Sequence, residues 1–286
     1  MEPTAKASVI VFDIETYSTR NNELMEQIRS EAVEKRPAQN TLKALKTTWD
    51  TTEARAQRGA EAVGKTALDP LLASVLVVAW QADGVEGVTP VWCDADEEAA
   101  GLLQLAEDWE RMAGPETVWV GHNIEGFDMP VLLGAWNRHD IEPPAWFPRF
   151  HRGRWQGRVY DTMQNTPNNR AGFVSLDALS RALGLPGAKS VDWKGEPMNG
   201  SRVAAAFEEG QFGLLQTYCL ADVYAEAAVF QRLTHGGTYG VHPRENAIRD
   251  ALLPIWGADH LDDITKKVAS FDALQTLGVI PRGLVA

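Results

Sequence analysis

The sequence predicts an α/β layer fold with a mixed central sheet, and two observations carry that expectation. Short runs of β-branched and aromatic residues come early in the chain, and beyond them helical and strand-like stretches alternate. That order suits a sheet with both parallel and antiparallel neighbours, flanked by helices. The 286 residues allow one large domain or two small ones, and a hydrophobic share of 44% excludes general disorder.

Residues 8–12, Ser-Val-Ile-Val-Phe, read as a buried strand that runs into Asp13-Ile14-Glu15-Thr16. Residues 21–63 change character: they are rich in Glu, Lys, Arg, Gln and Ala, with Leu24, Ile28 and Val33 at helical spacing. Two exposed helices are expected there, with Pro37 between them. Strand character returns over 74–80 and 88–92, joined by a Gly-containing turn, which is a hairpin signal. An amphipathic helix over 96–112 precedes a strand at 117–120, which leads into Gly121-His122-Asn123. Residues 127–136 look helical, and 141–159 read as a loop rich in Pro, Arg and aromatics, with a short strand at 158–160. A short helix is expected over 176–183, closed by Gly184, and the longest in the second half over 214–233. Residues 238–286 read as a loosely structured extension.

Composition narrows the function classes. With 27 basic and 39 acidic side chains the formal net charge is −12, which argues against coating nucleic acid by bulk charge. It leaves room for an enzyme that touches nucleic acid locally, through metals and a few arginines. Two cysteines make neither a disulfide framework nor a zinc cluster, so a reducing cytoplasm is the simplest home. No apolar run approaches the roughly 20 residues of a membrane helix, and the N-terminal residues lack the pattern of a secretory signal, so no membrane association is expected.

Carboxylates carry the chemistry. The chain holds four Asp-x-Glu triplets, at Asp13, Asp96, Asp108 and Asp140. The last three sit in helical or loop contexts and read as solvated faces. Asp13 and Glu15 follow directly on an apolar strand, where alternation puts both on one face; a frayed strand end would look the same. Asp128 follows the strand at 117–120, and a first-turn helix acid is compatible with a site at the sheet edge. Tyr218 and Asp222 are four apart in a predicted helix and project from one face. Of the five tyrosines only Tyr218 has Asp four positions on. Four carboxylates gathered in a partly desolvated site would repel, so either their pKa values rise or cations bind. All-oxygen ligation suits Mg²⁺ or Mn²⁺, and a pair of such ions about 4 Å apart is a known device for phosphoryl displacement.

Phe12-Asp13-Ile14-Glu15-Thr16, residues 121–130 (Gly-His-Asn-Ile-Glu-Gly-Phe-Asp-Met-Pro) and residues 218–223 (Tyr-Cys-Leu-Ala-Asp-Val) resemble, in order and spacing, the three motifs of the DEDD 3′–5′ exonuclease superfamily. The likeness is to the proofreading exonuclease domain of family B DNA polymerases and to stand-alone polymerase-B-like exonucleases of phages and bacteria. Tyr160-Asp161-Thr162-Met163, Ser175-Leu176-Asp177 and residues 183–187 resemble the stretch those enzymes carry between the second and third motifs. The resemblance covers about residues 7–233, with 17–66 as a helical insertion. It implies a ribonuclease-H-like fold over residues 1–235, followed by an extension, 236–286, of unknown role. It also implies roles: Asp13, Glu15 and Asp222 hold the first of two Mg²⁺ or Mn²⁺ ions, Asp13 bridges to the second, Asp128 reaches that ion, and Tyr218 orients the attacking water. Thr217 stands where the sister subgroup has His, which indicates the tyrosine variant. Asn123 would contact the terminal nucleotide and Phe127 would support the site or the end base, with Thr16 and His122 beside them. His122 itself reads as a packed or hydrogen-bonded residue rather than a base. The implied reaction is hydrolysis of a terminal phosphodiester, releasing a nucleoside 5′-monophosphate. Only 53 residues (286 − 233) follow position 233, too few for a polymerase, so a free-standing nuclease or a subunit is expected.

The most basic stretch interleaves Arg149, Arg152, Arg154 and Arg158 with Phe150, His151 and Trp155, a combination that suits a single strand. Arg152 and Arg154 are therefore expected at the substrate, and Lys189 can touch its backbone. Residues 184–190 fall short of a phosphate loop. Cys219 is expected in the core. The insertion can guide DNA, dock a replication or repair partner, or be decorative. The leading expectation is an exonuclease acting on single-stranded DNA or frayed 3′ ends. A 3′–5′ exoribonuclease and a catalytically silent nucleic-acid-binding or partner-recruiting module stand as alternatives, and no residue decides between DNA and RNA.

Overall fold

The run Val-Ile-Val-Phe has β-branched or aromatic side chains at every position, so it can bury both faces, and it forms the first half of β1 (Val9–Tyr17). The computed structural model describes residues 6–34, 51–151, 154–166 and 173–234. Two helices, α1 (Asn22–Glu34) and α2 (Thr52–Gly64), pack on one another after β1, and a 3₁₀ turn (Lys65–Leu68) leads back to the sheet. Pro37, expected between the two helices, lies outside the described residues, as does the extension 236–286.

β2 (Ser74–Ala82) runs antiparallel to β1 and turns into β3 (Val85–Val88). The turn is Asp83-Gly84, both at positive φ (45° and 85°), which is the two-residue hairpin geometry that twists with the strands. The second strand of this hairpin was expected over 88–92, and the structure places it at 85–88. Pro90 has no N–H for a ladder, although the Thr89 and Trp92 amides still donate to Val78 and Leu76.

Of the remainder, α3 (Ala95–Met112), β4 (Val118–Gly121), α4 (Asp128–Arg138), β7 (Arg158–Asp161), α5 (Leu176–Ala182) and α7 (Phe212–Thr234) follow the predicted alternation, while β5 (Arg149–His151), β6 (Arg154–Gln156), β8 (Asp192–Trp193), β9 (Glu196–Pro197), a 3₁₀ turn (Gly200–Arg202) and α6 (Val203–Glu208) are additions to it. The main sheet has the order β3-β2-β1-β4-β7, with β1, β4 and β7 parallel and β2 antiparallel to β1. This is the ribonuclease-H-like arrangement, an α/β fold whose mixed sheet is flanked by helices. The segment expected to be a loop before β7 is instead a small separate hairpin, β5–β6, closed by the edge-on pair Phe150–Trp155 with ring centroids 5.2 Å apart.

Alternation splits the core in two. Ile10, Phe12 and Ile14 enter one half with Trp109 of α3, Trp119, Trp136 of α4 and Phe147, an aromatic nest of edge-on, tilted and stacked rings. Val9 and Val11 enter the other, under α7. At the rim of the first half, Glu98 of α3 is 2% exposed and accepts from the Val75 amide and from Arg138, with Arg20 3.5 Å away. Among the described residues no helix is long and apolar enough to cross a membrane.

Candidate active site

Asp13 and Glu15 fall on the same face of β1 as Val9 and Val11, so their carboxylates look toward α7 rather than into the aromatic nest. A β-bulge between Glu15 and Thr16 shifts the pairing with β2 directly after the motif. Helix α7 packs across β1, β2 and β4 and presents Tyr218 and Asp222 one turn apart. One ligand oxygen each from Asp13, Glu15 and Asp222 lie within 4.8 Å of one another. Asp128 opens α4, and its carboxylate accepts the amide N–H groups of its own residue and of Ile14, which ties it to β1 between Asp13 and Glu15.

The electrostatics are those of a cage of like charges. Burial, then the charges of Glu226, Glu15, Asp128 and Asp222, hold the Asp13 carboxyl well above the usual carboxylate range. Glu15 is raised by burial and then by Asp222 and Asp128. Burial pushes Asp128 up to about 7 against the pull of its two amide donors. Burial likewise pushes Asp222 to about 7, although the Tyr218 hydroxyl donates to it. The Tyr218 hydroxyl is itself driven far above its ordinary value, by burial first and then by Asp222, Glu15 and Asp13, so it keeps its proton. Cys219 is buried as expected, and its Sγ lies 3.3 Å from the Asp13 carbonyl and 3.5 Å from Asp13 Oδ2. The donors gathered by Asp13, Glu15 and Asp222 are carboxylate oxygens alone, a set that fits a hard divalent cation.

The loop after β4 is braced from several sides. Asn123 sits at φ 64°, and its Oδ1 would lie 2.6 Å from a Cβ at position 126, so any larger residue there would push the Asn123 side chain aside. Asp161, which is fully buried, accepts from the amides of Asn123, Met163 and Gln164 on Oδ1 and of Glu125 on Oδ2. His122 Nε2 donates to the Val174 carbonyl (2.7 Å) and Nδ1 lies 3.0 Å from the Thr162 hydroxyl. Burial lowers its pKa, consistent with the packed, hydrogen-bonded role read from the sequence. The Thr16 hydroxyl donates to the Ala67 carbonyl (2.7 Å). Phe127 is half-buried against the aromatic core. Lys189 is exposed, and its amide donates to Asp177 (3.4 Å). Arg152 lies outside the described residues; Arg154 begins β6. Arg149 caps the carbonyls of Phe147, Pro143 and Pro144, and Arg158 pairs with Glu116 at 2.8 Å.

Two residues at this site escaped the sequence reading. Asp161 ends β7 and carried a visible signal, a lone acid at a strand end within a stretch already matched to the motif pattern. Glu226 is one helical turn past Asp222, a single acid in the otherwise apolar-to-neutral run Val-Tyr-Ala-Glu-Ala-Ala-Val-Phe.

A family model described as a predicted 3′–5′ exonuclease related to the exonuclease domain of PolB matches residues 65–239, more than half of the chain. The chain belongs to that family. The match takes in Asp128, Tyr218 and Asp222 of this PolB-related exonuclease and begins after Asp13 and Glu15. No curated protein matches the chain. Among solved structures it is similar to E. coli exonuclease I in complex with a 5cy-dT13 oligonucleotide, at 13% identity and a TM-score of 0.39 over 86% of this chain and 45% of that one. It is also similar to E. coli exonuclease I in complex with a 5cy-dA13 oligonucleotide, at 14% identity and a TM-score of 0.34, over 80% and 40% of the two chains. The PolB-related exonuclease thus spans less than half the length of those chains.

Proposed function

We propose that this PolB-related exonuclease hydrolyses the terminal phosphodiester at the 3′ end of single-stranded DNA, or of frayed duplex ends, with two Mg²⁺ or Mn²⁺ ions, releasing nucleoside 5′-monophosphates. The observation that carries the proposal is the convergence of Asp13, Glu15 and Asp222 to within 4.8 Å, with Asp128 tied alongside by the Ile14 amide. Asp13, Glu15 and Asp222 would hold one ion, and Asp13 with Asp128 the other. When bound, such ions neutralise the cage, lower the pKa of the attacking water and stabilise charge on the leaving oxygen.

The side chains have separate tasks. Tyr218 keeps its proton on Oη and donates it to Asp222, which leaves the oxygen lone pairs free to orient the water against phosphorus. A new P–O bond forms from that water, the P–O3′ bond breaks, and the departing 3′-oxygen takes up a proton. Asn123 and Phe127, on the loop held by Asp161, face the terminal nucleotide in this reading, and Lys189 approaches the backbone. The hairpin β5–β6 offers Phe150, 58% exposed, as a stacking surface for a single strand. Since Arg149 and Arg158 are engaged within the protein, phosphate contact there falls to Arg152 and Arg154.

The test is a digest of 3′-labelled and 5′-labelled single-stranded DNA and RNA in Mg²⁺, Mn²⁺ or EDTA. Mononucleotides should leave only from the 3′ end of DNA, only with metal, and Asp13→Ala should abolish the release. Preferential loss from RNA would make the protein an exoribonuclease. No release from either polymer, with binding retained, would make it a silent module.

A further inference from the structure

We propose that Glu226 is a further member of the metal cage, supplying its free carboxylate oxygen, directly or through water, to the second cation, the one that Asp13 and Asp128 would hold. This rests on the two-ion reading of the site.

Geometry places Glu226 there. Tyr218, Asp222 and Glu226 are spaced by four on α7, so the three share a helix face. The carboxylate is anchored at one end, where Glu226 Oε1 accepts the His122 amide at 2.9 Å. Strand β4 pairs in parallel with β1 through Val11↔Val120, and Asp13 and His122 each lie two residues beyond that pair. An acceptor fixed on the His122 amide therefore sits beside the strand position of Asp13, one interstrand step away. Glu226 is 1% exposed, and its Oε2 is buried with no hydrogen-bond donor among the described residues. The charges of Asp128, Asp222 and Asp161 act on it, and Glu226 is the neighbour whose charge bears most on Asp13.

Ionised, those neighbours are acceptors and cannot satisfy another acceptor, so the cage needs either a shared proton or a cation. A buried carboxylate oxygen without a donor is costly, and such a group is found paired or on a metal. The His122 amide explains Oε1 only. A structural acid serving the loop after β4 would need one oxygen and could be an amide; the second oxygen, left bare among three other carboxylates, asks for a cation. Asp161 shows the contrast, since it also braces this loop, but with both oxygens filled by amide donors.

The test is Mn²⁺ titration calorimetry, with thermal unfolding in EDTA and in Mn²⁺, on the full chain and on Glu226→Gln, Glu226→Asp and Asp13→Ala. Glu226→Gln keeps an acceptor for His122 and removes a charge, so it should fold at least as stably as wild type in EDTA. Its weaker Mn²⁺ site should lose affinity by about 10- to 100-fold while the tighter one stays within a few-fold. Glu226→Asp should recover part of that loss, which a bracing role alone would not produce. Two Mn²⁺ bound by Glu226→Gln as tightly as by wild type would overturn the role of Glu226 and leave the cage standing. A wild-type chain that takes up no Mn²⁺ sensitive to Asp13→Ala would overturn the two-ion reading and this inference with it.

Discussion

Replacing Asp128 with Asn should make the metal-free protein more stable, and the gain should depend on pH. Asp128 is 5% exposed, and its carboxyl is raised from 3.8 to about 7. Its folded pKa stands above its unfolded one, so the folded chain holds a proton that the unfolded chain releases. Stability is lost as pH rises from about 4 and the loss is complete above about 7. At about 1.4 kcal/mol per unit, that shift amounts to roughly 4 kcal/mol at pH 8. Asn keeps one acceptor for the two amide donors, so about 1 kcal/mol returns as a lost hydrogen bond. The net gain is on the order of 3 kcal/mol, or roughly 6–12 °C in Tm, at pH 8, and by pH 4 it should have vanished or turned into a loss of about 1 kcal/mol. Thermal unfolding in EDTA across that pH range measures it. With Mn²⁺ present the order should reverse, because wild type gains the cation. A variant less stable than wild type in EDTA at pH 8, or a gap indifferent to pH, would refute the electrostatic account of the cage.

Tyr218→Phe should lower kcat by roughly 10- to 100-fold through a misplaced water while Mn²⁺ affinity holds; an unchanged kcat would remove Tyr218 from the mechanism. Asp161→Ala strips a buried acceptor from four amides, so stability should fall by about 3 kcal/mol and hydrogen exchange at Asn123 and Glu125 should quicken. Glu98→Ala leaves Arg138 and the Val75 amide without their buried acceptor, at a cost of about 3–5 kcal/mol in chemical denaturation, with metal affinity untouched.

The elements whose patterns are simple were legible in the sequence. The helices around 96–112 and 214–233 and the strand before Gly121 lie within a residue or two of their observed bounds, and the apolar run at 9–12 marks the start of β1, which continues through the polar motif to Tyr17. The hairpin β5–β6 was missed because Arg, Phe, His, Trp and Gln carry no apolar alternation; it is held by one cross-strand aromatic pair. Strands β8 and β9 and helix α6 are too short for any period to show. At the site, Asp13, Glu15, Tyr218 and Asp222 could be picked out because spacing along a strand or a helix puts side chains on a common face. Glu226 could not be, since a lone acid declares itself only when the helix is seen pressed against the sheet, and the anchoring role of Asp161 emerges only when its four amide donors are in place.

The cage draws on both ends of the described fold, since Asp13 comes from the first strand and Asp222 from the last helix. A nascent chain still lacking α7 would carry half a grip on a cation and no means of cutting. On the proposed two-ion reading, competence to degrade nucleic acid would arrive only when synthesis and folding of this unit are finished, and ion capture would double as a report that the chain has closed on itself.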